Sequence, residues 1–293
     1  MNSFIGRIMT AGVASALMAG APLLAQTAPA SPATSPAKQA DTLQTEMRLA
    51  QALADRGLQL YRYDRAAWEA TDAMLRDIPQ NKIPAKAAGW VTVNTAEGLR
   101  TTFYEMLDDG SARGFYQSLW NDRQISGKTL SNPAEQILSA EELRLVALRT
   151  LPSLDGIERC TKANLNIVIL PRSGPGKIDS IYILTPQTST TAFPFGGHYR
   201  FDYRDGVKVG ERKFANSCLT IDTAQAGPKG AKAQMMIVSH VLDPYPTEIH
   251  SFEMLSMAMP LAVITTSNKM TWFLDNKAGK MEIARRDMDN PKP

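Results

Sequence analysis

The stretch that most directly indicates the fold is GGHYRFDYRDGVKVGERKF, residues 196–214. Within it, polar and aromatic residues alternate one by one. Because successive side chains of a β-strand point to opposite faces, the alternation predicts a strand over 197–204 with one solvated and one apolar face. The polar face would hold His198, Arg200, Asp202 and Arg204, and the apolar face Tyr199, Phe201 and Tyr203.

The same stretch predicts a β-hairpin, because Asp205-Gly206 is a turn signal and a second strand is expected over 208–214. A two-residue loop would place Tyr203 opposite Lys208. A three-residue loop would place Tyr203 opposite Val209, and it is slightly favoured because it pairs two apolar side chains. Antiparallel sheet is therefore expected around this point.

The chain after Pro152 is expected to be almost wholly β. Short β-branched and aromatic runs recur there and are separated by Gly, Pro or Asn. The further predicted strands are 164–170, 177–184, 233–242, 247–255, 261–265, 270–274 and 281–285. Residues 151–286 are thus expected to form a mainly antiparallel β region.

Apolar residues in the first part of the chain recur at helical spacing. Asp41 and Gln44 match a capping box, so a helix is expected to begin at Asp41. The helical pattern continues to Asp77, either as a helical hairpin or as one long kinked helix. Tyr61 and Trp68 fall along one stripe, which predicts that both side chains pack in the core.

The period of the pattern changes after this helical part. Three short strands are predicted, over 90–93, 99–106 and 112–120. A helix is predicted over 133–150, with Asn132 as N-cap and with Ile137 and Leu143 among its residues available for burial. Residues 41–150 are therefore expected to be an α+β region. The predicted fold class is α+β: a helical N-terminal part with a small antiparallel sheet, followed by a larger antiparallel β region.

The beginning of the chain is typical of a secretory signal peptide. Arg7 precedes an apolar run that ends at a small-residue cleavage site, so residues 1–25 are predicted to be removed. Residues 26–40 are rich in Pro, Ala, Ser and Thr and are predicted to form a disordered linker, and residues 287–293 a flexible tail. No transmembrane segment is expected after signal cleavage. The predicted location is periplasmic or secreted.

The chain has two cysteines, Cys160 and Cys218. Both lie in the part predicted to be exported, where thiols are normally oxidised. They are far apart in sequence, form no CxxC motif and have no neighbouring histidine, which disfavours a redox site. A Cys160–Cys218 disulfide is predicted, with a reactive thiol as the alternative.

Charge and motifs limit the classes of function. The 293 residues carry a net charge of +3 without a run of five or more basic residues, so no nucleic-acid partner is expected. The sequence contains no HExxH, GxSxG, GxxxxGK[ST] or GxGxxG motif. These absences favour a non-enzymatic role without a cofactor, although acid–base sites often leave no linear motif. The sequence does not identify a partner.

Residues 239–250, SHVLDPYPTEIH, contain the clearest candidates for chemistry. The pattern is interpreted as strand, Pro-rich turn and strand, which places Glu248 and His250 on one face. A turn of odd length would add His240 to that face. Two functions would suit this group: metal-free acid–base catalysis by Glu248 and His250, or a zinc site formed by His240, His250 and Glu248 with a position open for water. Structural roles for all three residues are favoured over both.

A second candidate site is a ligand-binding groove at His198 and Arg200. Both follow Gly196-Gly197 and share the polar face with Asp202, so they are candidates to bind an anionic ligand. A solvated sheet face without a ligand is the favoured alternative.

Several short motifs carry a resemblance to a known family. They are LYRYD at 60–64 with AAW at 66–68, LTPQT at 184–188, GGHYR at 196–200, NSCL at 216–219 and PTEIH at 246–250. Together they resemble motifs of a family of exported bacterial proteins that have no assigned activity. The resemblance implies export and a shared fold, and it supplies no catalytic residues.

These observations predict an exported, periplasmic protein that acts as a non-enzymatic binding or envelope-accessory protein. The alternative is a hydrolase that uses Glu248 and His250, with a metal bound by His240 and His250. The hydrolase requires these side chains to converge in a pocket, whereas a binding protein requires only a polar face or groove.

Overall fold

The helical pattern in the first part of the chain forms one continuous helix, α1 (Pro36–Asp77), in the computed structural model. The structure describes residues 36–173, 177–225, 233–277 and 279–289. Because α1 begins at Pro36, Asp41 and Gln44 lie inside it, and the prediction of a capping box at Asp41 is wrong. Of the two alternatives for this region, a single long helix is the one that the structure contains.

The segments predicted at the two ends of the chain fall largely outside the described residues. These segments are the signal peptide (1–25) and the linker (26–40), of which residues 36–40 form the first part of α1. The predicted tail (287–293) begins at the last residue of the final strand, and residues 290–293 lie outside the described part. None of the helices in the described part is long and apolar enough to cross a membrane.

The first sheet is a four-stranded antiparallel meander. Its strands are β1 (Ala87–Thr95), β2 (Gly98–Met106), β3 (Ala112–Trp120) and β4 (Ile125–Thr129), in that order. The first three match predicted strands. The sequence pattern did not predict β4, because it is a short edge strand whose residues are almost all exposed.

The helix after the first sheet, α2 (Ala140–Arg149), starts later than predicted. Its N-cap is Ser139, which forms a capping box with Glu142, and not Asn132. The Asn132 side chain instead accepts a hydrogen bond from the Ala134 amide and closes a local turn. The predicted start at residue 133 is therefore wrong, because the asparagine stabilises a turn here.

The second sheet is antiparallel in the order β5-β6-β8-β9. Its strands are β5 (Asn166–Ser173), β6 (Ile178–Leu184), β8 (Tyr199–Arg204) and β9 (Val207–Lys213), while β7 (Ala192–Pro194) pairs separately with β10 (Thr220–Asp222). The β8–β9 loop has two residues, not three, because Tyr203 pairs with Lys208. A bulge after Asp202 then resets the register.

The third sheet contains a parallel pair as well as antiparallel pairs. Its order is β11 (Met236–His240), β12 (Leu261–Thr265), β13 (Met270–Lys277) and β14 (Lys280–Asp287). The first two strands are parallel and are joined by the helix α3 (Glu248–Met257). The strand predicted over 247–255 is therefore wrong. Nearly every residue of α3 is buried, so the helix has no polar face and no 3.6-residue pattern that could identify it.

A disulfide joins Cys160 to Cys218, as predicted. It connects the segment before β5 to the segment before β10. Gly196 and Gly197 pack directly against it: an added Cβ on Gly197 would lie 2.6 Å from the Cys160 sulfur, and one on Gly196 would lie 2.9 Å from the Cys218 Cα. The Gly-Gly pair is therefore required by the close approach of the cross-linked segments.

The buried face of α1 changes along the helix because its packing partners change. Ala54 packs with α3 and the third sheet, whereas Ala73 packs against aromatic residues of the first sheet. Tyr61 packs against the first of these clusters. Trp68 continues the same stripe but is 54% exposed, because the sheet contacts lie on another side of the helix by that point. The predicted burial of Trp68 is therefore wrong.

The helix α2 packs between two of the sheets. Leu145, Val146 and Leu148 pack between the first sheet and the second sheet in one apolar cluster. The described residues from Thr42 onward belong to one compact unit, and the predicted boundary between 41–150 and 151–286 falls inside it. The fold is α+β, with helices packed against several mainly antiparallel sheets.

Candidate functional site

The structure does not place Glu248, His250 and His240 on one face. Glu248 and His250 lie in the first turn of α3, and residues two apart on a helix point to different sides. Glu248 enters one buried cluster, and the two histidines enter another. Among the described residues, no group of three or more His, Cys, Asp or Glu side chains is arranged to hold a metal ion.

Glu248 is fully buried at the centre of a group that we call the arginine–glutamate cluster, comprising Arg56, Tyr182, Arg200 and Glu248. Its Oε1 accepts hydrogen bonds from Arg200 Nη1 and, at 3.1 Å, from the Tyr182 hydroxyl. Arg56 Nε lies 3.7 Å from the same oxygen and donates to the Tyr182 hydroxyl at 2.5 Å. The cluster thus connects α1, β6, β8 and α3 around one carboxylate.

Arg200 lines an open cleft of about 570 Å³ beside α1, as the prediction of a groove required. Its guanidinium is already paired, because it donates to Glu248 and, through Nε at 3.0 Å, to Asp202. Arg56 lines the same cleft and donates to the Ser180 hydroxyl at 2.5 Å. The positive charges of both arginines are balanced by carboxylates of the protein, so this cleft offers no excess charge to an anionic ligand.

His198 does not lie on the solvated face with Arg200. It is fully buried just before β8, where its Nδ1 accepts from the Thr185 amide and its Nε2 lies 2.6 Å from the Pro194 carbonyl oxygen. Burial lowers the pKa of His198 to about 4. The alternation of β8 does not extend to this residue because Gly197, with φ +75°, turns the chain at that point. His198 is therefore part of the interior.

His240 and His250 lie against each other with ring centroids 4.7 Å apart. His240 Nε2 is 2.8 Å from Asp243, which also accepts from Arg212. His250 Nδ1 accepts from the Thr247 amide at 3.0 Å, an interaction that caps α3. Burial, together with the neighbouring His240, lowers the pKa of His250 to about 3. These contacts give both imidazoles structural roles.

Because burial lowers the pKa values of His198 and His250, we expect the protein to lose stability in mild acid. The folded state keeps His250 neutral down to about pH 3, while the unfolded chain binds a proton near pH 6.5. The free energy of unfolding should therefore fall as the pH falls below 6.5, by about 1.4 kcal/mol per pH unit for each such histidine. The variant His250→Asn keeps an acceptor for the Thr247 amide and cannot bind this proton.

Urea unfolding between pH 6.5 and 4.5 tests this prediction. We expect the slope of stability against pH to be smaller in His250→Asn than in the unchanged protein by about the contribution of one proton. Because the slopes are compared, a loss of packing that lowers the stability of the variant equally at every pH does not affect the result. Equal slopes in the two proteins would show that His250 is not buried in its neutral form.

A large apolar groove lies elsewhere, between α2, the ends of β2 and β3, and the segment 133–138. Its volume is about 950 Å³. We call it the α2 groove. Two of its lining side chains that were expected to be buried are exposed: Ile137 by 76% and Leu143 by 45%. Its other apolar lining residues include Met106, Ala112, Leu138, Val146 and Ala147. Apolar side chains therefore face an open, concave surface here.

Arg149 lies in the wall of the α2 groove. Its Nη1 donates to the Ile167 carbonyl at 2.9 Å, and its guanidinium carbon lies 4.5 Å from the centroid of the Trp90 ring. None of the described carboxylates lies within 4 Å of it. Burial lowers the pKa of Arg149 and raises that of Tyr104, which lines the groove beside it. A positive charge is thus partly buried without an acidic partner.

The sequence interpretation missed the α2 groove. The available signal was that α2 has apolar residues on more than one side: Leu145 and Leu148 are buried, whereas Leu143 and Ala147 point into the groove. An apolar residue beyond those needed for packing can mark a binding surface. No sequence motif indicated that Arg149 lacks a carboxylate partner among the described residues, because that depends on residues distant in sequence.

Comparisons with protein-family models, with curated proteins and with solved structures find no match for this chain. The resemblance to exported bacterial proteins stays a prediction.

Proposed function

We propose that this protein is an exported, non-enzymatic binding protein that holds a small apolar molecule in the α2 groove. The observation that carries the proposal is the groove itself: a concave surface of about 950 Å³, lined mainly by apolar side chains, of which Ile137 and Leu143 remain exposed. This volume lies within the range of about 300–1,000 Å³ that is usual for small-molecule pockets.

The chemistry of the lining favours binding over hydrolysis. Among the described residues that line the groove there is no His, Cys, Asp or Glu, so the groove contains no side chain typical of a general base. Glu248 and His250, the residues predicted for catalysis, are buried and hydrogen-bonded elsewhere, and so is His240, the predicted metal ligand. Export is supported by the disulfide, since such bonds persist in oxidising compartments.

A neutral fluorescent probe, N-phenyl-1-naphthylamine, tests the proposal. We expect the purified protein to bind it saturably, and we expect Leu143→Glu to weaken binding at least tenfold, because it places a charge on the apolar wall. Leu154→Glu is the matched control: Leu154 is similarly exposed, at 49%, but is not among the residues that line the groove.

Two results would contradict the proposal. The first is the absence of saturable probe binding by the unchanged protein. The second is equal binding by the Leu143→Glu and Leu154→Glu variants. If the groove instead binds a second copy of the chain, sedimentation will show a concentration-dependent dimer that Leu143→Glu disrupts, and the probe will not bind to that dimer.

A further inference from the structure

We infer that the ligand of the α2 groove is an amphipathic monocarboxylate, whose carboxylate binds Arg149 while its apolar body lies along α2. The inference rests on the proposed function and adds the chemical class of the ligand. It is carried by the charge of the groove, by the free edge of the Arg149 guanidinium and by the absence of a side chain at Gly89.

The charge of the α2 groove is positive and belongs mainly to one residue. The charged residues among its described lining are Arg113 and Arg149. Arg113 is neutralised by Glu105, to which it donates from Nε at 3.1 Å and from Nη2 at 2.7 Å. Arg149 has no such partner among the described carboxylates, and a partly buried charge without a partner is costly. A ligand with one negative charge would complete the pair.

The free edge of Arg149 has the geometry that binds a carboxylate. Arg149 uses Nη1 for the Ile167 carbonyl, while its Nε and Nη2 have no acceptor among the described residues. This is the edge through which Arg62 binds Asp122 in the same protein, from Nε and Nη2 at 2.9 and 2.6 Å. Two parallel N–H groups on one edge match the two oxygens of a carboxylate.

Gly89 keeps this edge of Arg149 open. A Cβ added at Gly89 would lie 3.1 Å from Nε and 3.6 Å from Nη2 of Arg149. The residue before it, Ala88, lines the α2 groove. A side chain at residue 89 would therefore crowd the two free donors, on a part of the chain that borders the groove.

The apolar body of the ligand would lie against Met106, Leu138, Leu143 and Val146. These side chains come from β2, from the segment before α2 and from α2 itself. Tyr104, close to Arg149, also lines the groove and can donate a hydrogen bond from its hydroxyl. A molecule with a polar head and an aliphatic body matches this division of the groove.

Competition against the bound N-phenyl-1-naphthylamine probe tests the inference, with decanoate and decan-1-ol as competitors at pH 7. The two share a ten-carbon chain and differ in the charged head. We expect decanoate to displace the probe at a concentration at least tenfold lower than decan-1-ol in the unchanged protein. We expect this preference to disappear in Arg149→Gln and to persist in Arg113→Gln, whose charge is already neutralised.

The outcomes separate this inference from the proposed function. If the probe binds but both competitors displace it equally in the unchanged protein, the groove is a binding site and the carboxylate inference is wrong. The same conclusion follows if the preference survives in Arg149→Gln. If the probe does not bind the unchanged protein, the proposed function itself is contradicted. Binding of the probe by Arg149→Gln would show that the groove of this variant is intact. Arg149→Lys retains the charge without the two-donor edge, so its preference for decanoate over decan-1-ol should be reduced.

Discussion

Replacement of Glu248 by alanine is expected to lower the free energy of unfolding by about 3–5 kcal/mol, because the partly buried Arg56 and Arg200 lose the fully buried carboxylate that they share. Glu248 is fully buried and accepts hydrogen bonds from Arg200 and Tyr182, with Arg56 close by. The variant would leave both guanidinium groups beside an apolar side chain. Urea unfolding followed by tryptophan fluorescence measures the change.

An exposed ion pair provides the control for Glu248. Glu141 pairs with Arg144 on the surface of α2, at 2.6 Å, and its side chain is about half exposed. Glu141→Ala should cost no more than about 1 kcal/mol, since water already solvates this pair. If both variants lost the same small amount of stability, the arginine–glutamate cluster would not be the connection between α1, α3 and the second sheet that its contacts indicate.

Removal of the disulfide is the second change with a large expected effect. The cysteines are separated by 58 residues, and the cross-link restricts the unfolded chain over that length. In the chain-entropy model the variant Cys160→Ser/Cys218→Ser should lose about 4 kcal/mol of unfolding free energy. Because Gly196 and Gly197 pack against the bond, the loop before β8 should also loosen.

Two measurements check the disulfide prediction. Urea unfolding gives the loss of stability, and hydrogen exchange at the amides near Gly196-Gly197 reports the loosening of the loop. Treatment with dithiothreitol should destabilise the unchanged protein and leave the double variant unaffected. Identical urea midpoints for the two proteins without reductant would contradict the prediction.

Local pattern was sufficient to predict much of the β structure. The alternation of β8 appears in its burial, with Tyr199, Phe201 and Tyr203 inside. This succeeded because one face of the strand meets a core and the other meets solvent, so the two-residue period is preserved in the sequence. The three-residue loop predicted for the β8–β9 hairpin was wrong, because a bulge changes the register. A bulge leaves no clear sequence signal.

The candidate site was much less predictable than the fold. Glu248 and His250 were expected on one face of a strand, but they belong to a helix that is buried on all sides and so lacks a helical pattern. The α2 groove was missed because Ile137 and Leu143 look like core residues in the sequence. Apolar side chains that pack and apolar side chains that line a groove have the same composition, and only their neighbours distinguish them.

The sequence alone was enough to predict the disulfide partners, helical structure up to Asp77 and the alternation of β8. The helix and the strand alternation depend on residue type and spacing within a short segment. The disulfide partners follow because the chain has two cysteines. Only the tertiary structure decided that Glu248 contacts Arg200 and that Arg149 contacts none of the described carboxylates. Ion pairing and its absence depend on distances between segments far apart in sequence, and the packing of α1, α2 and α3 on the sheets sets those distances.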